Sequence, residues 1–195
     1  MKVLDVGCGP NKVDGAIGVD IVAIEGVDIV HDLSHFPWPF ESEQFDEVVA
    51  NHFLEHAPDL MRTMVELHRI TCLGGRIRIR APHYTSWNFY CDITHVTPFS
   101  YRSFDHFTYI DETGYNYYSP VKFEIESRRI CFAAPGATNP WRWLGIEWFA
   151  NRFARLYERL FAFWMPATEV QFVLRPIPDR QDFVPAVNAT NRPAG

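Results

Sequence analysis

The chain lacks long apolar runs and has few cysteines. Charged residues interrupt every apolar stretch before it reaches the length of a membrane-spanning helix, and the N-terminus shows no signal peptide. The four cysteines, at positions 8, 72, 91 and 131, form no CxxC pair. This spacing argues against a zinc knuckle and against a disulfide framework. These absences predict a soluble, cytoplasmic protein with reduced thiols.

An excess of basic residues, internal repeats and low-complexity segments are also absent. With 18 Lys and Arg against 24 Asp and Glu, the net charge of −6 argues against a broad nucleic-acid-binding surface. A hydrophobic content of 47% with 22% charged residues is ordinary for a globular protein. For a chain of 195 residues we predict one domain over residues 1–178 and a polar tail over 179–195.

Strand-like and helix-like patterns alternate over the first eighty residues, which is typical of a layered α/β fold. The predicted strands are Val3–Val6, Ala16–Ile21, Asp28–His31, Asp46–Ala50 and Arg76–Arg80. Two later segments, "VKFEIESRRICFA" and "TEVQFVLRPI", also alternate as strands do. We therefore predict a Rossmann-like, mostly parallel sheet with an antiparallel C-terminal strand pair and a helical insertion.

Two helical segments are predicted. The first lies in "APDLMRTMVELHRITCLGG", with Pro58 in its first turn and Gly74–Gly75 at its end. The second is the insertion, at about residues 138–165. It begins near "TNPW", where Asn139 is a suitable N-cap and Pro140 suits the first turn.

The insertion carries an apolar stripe at helical spacing, formed by Phe149, Phe153, Leu156, Leu160 and Phe163. Further aromatic residues widen it on one side, and three arginines line the other: Arg152, Arg155 and Arg159. So wide an apolar face needs a cover. One hypothesis is packing over the sheet, against a second copy in a homodimer, or as a lid on a substrate site. The other is peripheral contact of residues 141–164 with an anionic membrane or a lipid-linked glycan.

The stretch "VLDVGCGP" ends a predicted strand in a glycine-rich turn, where a ligand can approach the bare backbone. A nucleoside triphosphate would require a Lys-Ser/Thr pair after the turn, and none is present. A dinucleotide would require a third glycine, and neither Lys12 nor Val13 supplies one. The first acid at a strand end is Asp20, only about half as far along the chain as in a dinucleotide site. S-adenosylmethionine remains as the third candidate ligand.

Five segments in order carry a resemblance: "VLDVGCGP", "GVDI", "HDLSHFPWPF", "QFDEVVANHFLEH" and "LGGRIRIRAPH". The series resembles the motifs of class I S-adenosylmethionine-dependent methyltransferases, most of all the small methyltransferase type 11 group. It runs from about Val3 to His83, with a weaker similarity through "DITHVTPFSYRSF". Only "PNKVDG" separates the turn from the next strand, so the helix that usually follows is reduced. We therefore expect a less enclosed cofactor pocket, or one covered by another chain.

The resemblance implies where the methionine part of the cofactor would lie. It assigns that part to Asp5, Gly7 and Gly9, with Cys8 filling the turn between the glycines. Asp5 has a second interpretation, because an acid at a strand end also stabilises turns. Asn51 and His52 are assigned to the point where methyl donor and acceptor meet.

The resemblance also implies where the adenosine part would lie. Asp20, with its neighbour Ile21, would bind the ribose hydroxyls, since a carboxylate can accept two hydrogen bonds at once. Asp32 would receive the adenine amino group, and Leu33 would add a backbone contact. Asp32 could instead act as a helix cap before "LSHF".

Candidate acceptor-side residues follow the fourth and fifth strands. His52 follows the fourth strand, and His83 the fifth, while Asp92 and His95 lie in the next loop. Transfer to a hydroxyl needs a base, so we predict His83 or His95 as the base with Asp92 as its orienting group. The alternatives are that Asp92 and His95 only staple the loop, or that His83, Asp92 and His95 bind iron or zinc. Their spacing matches no known metal signature, so no metal is assigned. His56 is predicted to belong structurally to the following helix.

These inferences together predict a methyltransferase that uses S-adenosylmethionine, yielding S-adenosylhomocysteine, and methylates a small molecule or glycan at oxygen. The segment "NHFLEH" replaces an NPPY-like motif after the fourth strand, which disfavours methylation of nucleic-acid bases. Two alternatives stay open: a non-catalytic cofactor-binding module of a larger assembly, and a nicotinamide-dependent oxidoreductase.

Overall fold

The computed structural model describes residues 1–109, 116–133 and 144–178. Their strands form a single seven-stranded sheet in the order β3-β2-β1-β4-β5-β7-β6. In chain order the strands are β1 (Val3–Val6), β2 (Ile17–Asp20), β3 (Ile29–Val30), β4 (Phe45–Asn51), β5 (Thr71–Pro82), β6 (Lys122–Cys131) and β7 (Glu169–Ile177).

The sheet is parallel in its first five strands and antiparallel in its last two. Strands β1 to β5 pair in parallel, so the carboxyl ends of β1, β2 and β4 meet at one edge with the end of β5. Strand β7 is antiparallel to both β5 and β6. The predicted Rossmann-like fold with an antiparallel C-terminal pair is confirmed. Each predicted strand is present, and the one predicted at Asp28–His31 is only two residues long.

Helix α1 spans Leu60–Ile70 and packs on the sheet. It begins where the Asp59 carboxylate accepts a hydrogen bond of 3.0 Å from the Arg62 backbone N–H, an N-cap contact. Pro58 therefore lies one residue before the N-cap and two before the first helical residue, outside the first turn in which it was predicted. Met64 and Leu67 are fully buried on the inner face, within the same cluster as the core of β1, β4 and β5.

The end of α1 corrects the prediction that the helix runs to Gly74–Gly75. The Thr71 hydroxyl donates to the Leu67 carbonyl (2.7 Å), and Thr71 then pairs with Phe45 in the sheet. The two glycines serve an irregularity in the β4–β5 ladder: Gly74 has φ +84°, and a Cβ on Gly75 would lie 2.7 Å from the Asp46 carbonyl oxygen. The glycines permit a bulge rather than ending a helix.

The remaining helices are short. They are α2 (Trp87–Cys91), α3 (Ile146–Arg152), α4 (Ala154–Leu156) and a π-helical turn at Tyr157–Phe161, with 3-10 turns at Leu54–His56, Asp105–Phe107 and Asn116–Tyr118. Residues 7–16, between β1 and β2, contain no helix, as the short linker predicts. The predicted N-cap Asn139 and first-turn Pro140 of the insertion, and the polar tail over 179–195, lie outside the described residues. Within the described chain, no helix has the length and apolarity needed to cross a membrane.

The insertion differs from the single amphipathic helix that its spacing predicts. The helix breaks at Phe153, whose φ and ψ are −129° and 48°, and the π-helical turn then shifts the register. Asn151 binds the backbone of strand β6, donating to the Ile130 carbonyl and accepting from the Ile130 N–H, both at 2.8 Å. These bonds turn a face containing Ala154 and Tyr157 toward the sheet, where both side chains are buried.

Most of the predicted apolar stripe consequently faces outward. Among the described residues of the insertion, the exposed large apolar side chains are Leu144, Trp148, Phe153, Leu156, Leu160, Phe163 and Trp164. The hypothesis that the stripe packs over the sheet is therefore wrong. The face toward the sheet carries small alanine side chains, and Asn151 on that face makes the hydrogen bonds to β6. Glu147 is also buried, next to Arg129.

Candidate active site

The turn after β1 is shaped by its own backbone. Gly7 and Cys8 both donate backbone hydrogen bonds to the Val19 carbonyl, at 2.9 and 3.2 Å. Gly7 has φ +63°, and a Cβ there would lie 2.7 Å from the Phe53 ring. Only glycine therefore fits at this position. Gly9 also has a positive φ (+52°), but a Cβ would meet nothing within 4 Å, so open space adjoins the turn.

Asp5 holds this turn from inside. Its carboxylate accepts a hydrogen bond of 2.8 Å from the Val13 N–H and is 98% buried, and burial raises the pKa of the group. Asp5 does not line the cavity described below. The hydrogen bond to Val13 thus shows Asp5 stabilising the turn, the second of its two interpretations.

Asp20 connects the turn to the second strand. One carboxylate oxygen accepts from the Gly9 N–H at 2.9 Å, and the other accepts from the Val22 N–H at 3.3 Å. Each oxygen keeps a lone pair for a further donor, because a carboxylate has about four acceptor positions. The side chain lines the cavity, so two hydroxyl groups of a ligand could reach it.

Asp32 and Leu33 follow β3 on the same side. The Asp32 carboxylate accepts from Ser34, whose hydrogen bonds lower the pKa of the group, and it lies 3.0 Å from His35 Nδ1. Leu33 is buried, and its carbonyl accepts a hydrogen bond of 2.9 Å from the Trp38 indole. Both residues line the cavity.

A cavity of about 360 Å³ lies over the carboxyl ends of the parallel strands. Its volume falls in the range of small-molecule sites. Six predicted cofactor residues line it: Gly7, Asp20, Ile21, Asp32, Leu33 and His52. Four do not: Asp5, Cys8, Gly9 and Asn51. Sequence reasoning missed His31, Ser34, Phe53, His56, Ala57, Pro58 and Thr63. The apolar residues Phe53, Ala57 and Pro58 in "HFLEHAP" directly follow β4, and this position could have indicated that they line the cavity.

His52 sits at the junction of the cavity with a buried ionic group. It has φ +52°, a strained value for a residue with a side chain. Its Nδ1 lies 3.2 Å from Glu55 Oε1, and its Nε2 lies 3.6 Å from Glu169 Oε2. The contacts with Glu169 and then Glu55 raise the pKa of His52 to about 9, so the ring is a cation at neutral pH.

Glu169, the first residue of β7, is the other anchor of this group. Burial opposes its charge, but the ion pair with His52 and the hydrogen bonds from Arg80 and Gln171 outweigh that effect and lower its pKa to about 2. Arg80 donates to it at 2.8 Å from strand β5. Sequence reasoning assigned Glu169 to a strand and missed its role, since its partners lie about 90 and 120 residues earlier in the chain.

The structure separates the predicted catalytic residues. His83 is fully buried: its Nδ1 accepts from the Thr85 N–H at 3.2 Å, and its Nε2 lies 3.3 Å from Glu158 Oε1. Both nitrogens are thus engaged, which leaves His83 no lone pair for a substrate. His83 is therefore unsuited to act as the base.

Asp92 and His95, in contrast, lie close to each other and to His56. His95 Nε2 is 3.9 Å from Asp92 Oδ2, and the His56 and His95 ring centroids are 4.5 Å apart. His95 Nδ1 lies 2.9 Å from the Phe89 carbonyl oxygen, which can only accept a hydrogen bond. The proton is therefore on Nδ1, and Nε2 keeps a lone pair that can accept a proton or bind a metal ion.

Comparison with known proteins identifies the domain. A family model described as a methyltransferase domain matches residues 4–79, from β1 through most of β5. The match identifies residues 4–79 as part of a class I methyltransferase domain. Its cofactor is S-adenosylmethionine, and the described residues fit that molecule: the turn leaves bare backbone at Gly9, and Asp20 and Asp32 offer carboxylates beside the cavity.

Solved structures share the fold of this chain. An S-adenosylmethionine-dependent methyltransferase from Archaeoglobus fulgidus is 21% identical, with 89% of this chain and 85% of that chain covered and a TM-score of 0.53. A complex of the Haloferax volcanii Trm112 methyltransferase activator with a methyltransferase is also similar (17% identity, 92% and 83% covered, TM-score 0.53).

The [4+2]-cyclase SpnF has the same fold as well, at 14% identity, with 89% of this chain and 74% of that chain covered and a TM-score of 0.52. At such identities the likeness shows the fold alone, and the reaction must be argued from the site. A search of curated protein sequences finds no match.

Proposed function

We propose that this methyltransferase transfers a methyl group to an oxygen atom of a small molecule or a glycan. The observation that carries the proposal is the pair of imidazole rings, His56 and His95, on the acceptor side of the cavity. His56 lines the cavity, and His95 packs against it with an available Nε2 lone pair. A hydroxyl acceptor must lose its proton, and imidazole groups suit that task.

The cofactor-side roles follow from the cavity. Asp20 binds the ribose hydroxyls, Asp32 receives the adenine amino group, and the Gly7–Gly9 turn lies along the methionine part. Support comes from the position of Asp20, which is tied to the turn by the Gly9 N–H and still lines the cavity. A carboxylate held in this way is preorganised, so little ordering is needed when the ribose binds.

The acceptor-side roles concern position and water. S-adenosylmethionine supplies, when bound, a methyl group on a cationic sulfur for direct displacement by the acceptor oxygen. Alignment of the acceptor is therefore the main task of the protein. Phe53, Ala57 and Pro58 form an apolar wall of the cavity that excludes water. The cationic ring of His52 lies at the same wall, fixed by its two carboxylate partners.

We also propose that the acceptor or its carrier is apolar in part. The exposed side chains of the insertion include Trp148, Phe163 and Trp164, which are 67%, 76% and 87% exposed. Arg152 and Arg159 of the same insertion are also exposed, so the insertion presents aromatic and basic groups to solvent. That combination suits the surface of an anionic membrane or a lipid-linked glycan. We name this group of five residues the aromatic ridge.

Calorimetric titration with S-adenosylhomocysteine tests the cofactor assignment. We expect binding by the unaltered chain, and about 100-fold weaker binding by Asp20→Asn, because two hydrogen bonds to a charged group are weakened. Asp14→Asn, at an exposed carboxylate in the same connection, is the matched control and should bind normally. Equal affinity of Asp20→Asn and the parent would contradict the assignment, as would preferential binding of NAD.

A methyl-release assay on a panel of hydroxylated sugars, lipids and metabolites tests the acceptor. Turnover on a hydroxyl acceptor supports O-methylation. Tight cofactor binding with turnover only on amines or thiols would replace this proposal, and binding without any turnover would favour the non-catalytic module.

A further inference from the structure

Three side chains with metal-binding atoms converge beside the cofactor cavity. The ligand atoms of Glu55, His56 and His95 lie within 4.8 Å of one another. Glu55 and His56 belong to the 3-10 turn after β4, and His95 belongs to the loop after α2. The loop is fastened to the turn, because the backbone N–H groups of Val96 and Thr97 donate to the Glu55 carbonyl at 2.8 and 3.2 Å.

Both imidazole rings are oriented by outer partners. Thr94 Oγ1 donates its proton to Asp92 at 2.6 Å, so its oxygen must accept the hydrogen bond of 2.8 Å from His56 Nδ1. The Phe89 carbonyl fixes the proton of His95 on Nδ1 in the same way. Each ring therefore keeps a lone pair on Nε2. Histidine residues that bind metals are typically held by such a bond from the other nitrogen.

Glu55 supplies an independent indication of a missing ligand. Its side chain is fully buried, and Oε1 lies 3.2 Å from His52. The second oxygen, Oε2, has no hydrogen-bond partner among the described residues and is inaccessible to solvent. A buried carboxylate oxygen without a partner is unfavourable by about 1–3 kcal/mol. A cation at this position would satisfy it.

We propose that Glu55, His56 and His95 bind a divalent transition metal ion, with zinc as the best-suited ion. Two imidazoles and one carboxylate form a ligand set that zinc uses in catalytic sites, where a fourth position stays open. Ligand atoms around zinc lie about 3.4 Å apart, so binding would draw these side chains together by about 1.5 Å at most. His56 lines the cavity, and the open position would therefore face the acceptor.

This inference rests on the proposed O-methylation and assigns it a chemical route. The acceptor hydroxyl would bind at the open position, where the metal lowers its pKa, and its proton would pass to water. The resulting oxygen would form the new O–C bond while the S–C bond breaks, giving the methylated acceptor and neutral S-adenosylhomocysteine. The imidazole lone pairs would then hold the metal and would not act as the base.

Titration of the metal-depleted, untagged full chain with Zn²⁺ tests the site. We expect one zinc ion per chain at submicromolar affinity, and at least 100-fold weaker binding by His95→Ala and by His56→Ala. His35→Ala is the matched control, because His35 is exposed and is the kind of residue that binds zinc adventitiously. That variant should retain the tight site. A parent chain that binds zinc no more tightly than the His56→Ala/His95→Ala double variant would overturn the proposal.

Substitution with Co²⁺ gives a readout that needs no activity. The expected visible absorption is that of nitrogen and oxygen ligands in a site of four or five ligands, and it should disappear in Glu55→Gln. An intense thiolate-to-cobalt charge-transfer band would show that a cysteine binds instead, and would overturn the proposal.

The folding of each variant is checked by thermal unfolding and by S-adenosylhomocysteine binding. If zinc fails to bind while S-adenosylhomocysteine binds and methyl transfer proceeds, the metal site is wrong and the proposed function stands. If S-adenosylhomocysteine fails to bind the parent, the proposed function is wrong whatever zinc does.

Discussion

The two ends of the cavity are held by different kinds of interaction. At the cofactor end, the hydrogen bonds that shape the site join residues close in the chain: Asp5 to Val13, and Asp20 to Gly9. At the acceptor end, side chains from distant segments hold each other: Arg80 with Glu169, and His83 with Glu158. The cofactor end is largely a property of one turn and its strands. The Arg80–Glu169 and His83–Glu158 contacts form only when the late strands and the insertion have docked.

The largest effect that would sharpen this comparison is expected at Gly7. Gly7→Ala places a Cβ 2.7 Å from the Phe53 ring at a positive φ, so we expect about 2–4 kcal/mol of destabilisation from strain and overpacking. Affinity for S-adenosylhomocysteine should fall with it. Chemical denaturation and calorimetry measure the two effects.

Gly9→Ala is the matched control for Gly7→Ala. Its Cβ meets nothing within 4 Å, so the folding penalty should be only about 1 kcal/mol. Affinity should nevertheless drop, because the methyl group enters the space assigned to the ligand. Normal affinity in a folded Gly9→Ala protein would show that the cofactor lies elsewhere.

The next effect concerns His83 at the acceptor end. His83→Ala removes the partner of a Thr85 N–H and of Glu158 inside the protein, so we expect about 2–4 kcal/mol of destabilisation. Affinity for S-adenosylhomocysteine should stay within about twofold of the parent. His35→Ala, at an exposed histidine of the cofactor end, should change stability by less than about 0.5 kcal/mol. Equal small changes in both variants would contradict the structural role of His83.

Features that depend on residues close in the chain could be predicted from the sequence, and features that depend on contacts between distant segments could not. The strands, the glycine turn and the place of Asp20 at the end of a strand were predicted because periodicity and local motifs determine them. The outward stripe was not, because the orientation of the insertion depends on Asn151 reaching the backbone of Ile130, a contact between distant segments. Glu169 was missed for the same reason. His56 was assigned to a helix start, since no local pattern reveals that its ring faces a cavity.

A smaller effect is expected for the aromatic ridge. Replacing Trp148, Phe163 and Trp164 by serine in one triple variant should reduce co-sedimentation with anionic vesicles at least tenfold, because three large apolar side chains would no longer enter the lipid. Val22→Ser/Ile24→Ser is the control, since those residues are exposed at the cofactor end. Equal vesicle binding by the parent and the triple variant would contradict the proposal that the aromatic ridge contacts an anionic membrane.

The smallest effect concerns the thiols. At pH 8 a disulfide reagent should modify exposed Cys91 first. Cys131 should react only on unfolding, because burial and then the charge of Glu169 raise its pKa to about 12, and the thiolate is the reactive form. Cys8 is also buried, in the cofactor turn. Mass spectrometry should therefore show that S-adenosylhomocysteine slows modification of Cys8 during partial unfolding, with less change at Cys131. Equal protection of both would break the distinction between the two ends.

The position of Glu169 has a consequence for biosynthesis. Ribosomes release β1 to β5 well before β7, so a nascent chain of that length carries the glycine turn but leaves one edge of β5 unpaired. Unpaired edges invite aggregation. His52 and Arg80 also lack the Glu169 carboxylate until almost the whole described chain has emerged. We expect a ribosome-stalled chain ending before residue 169 to engage chaperones, and completion of β7 to release it.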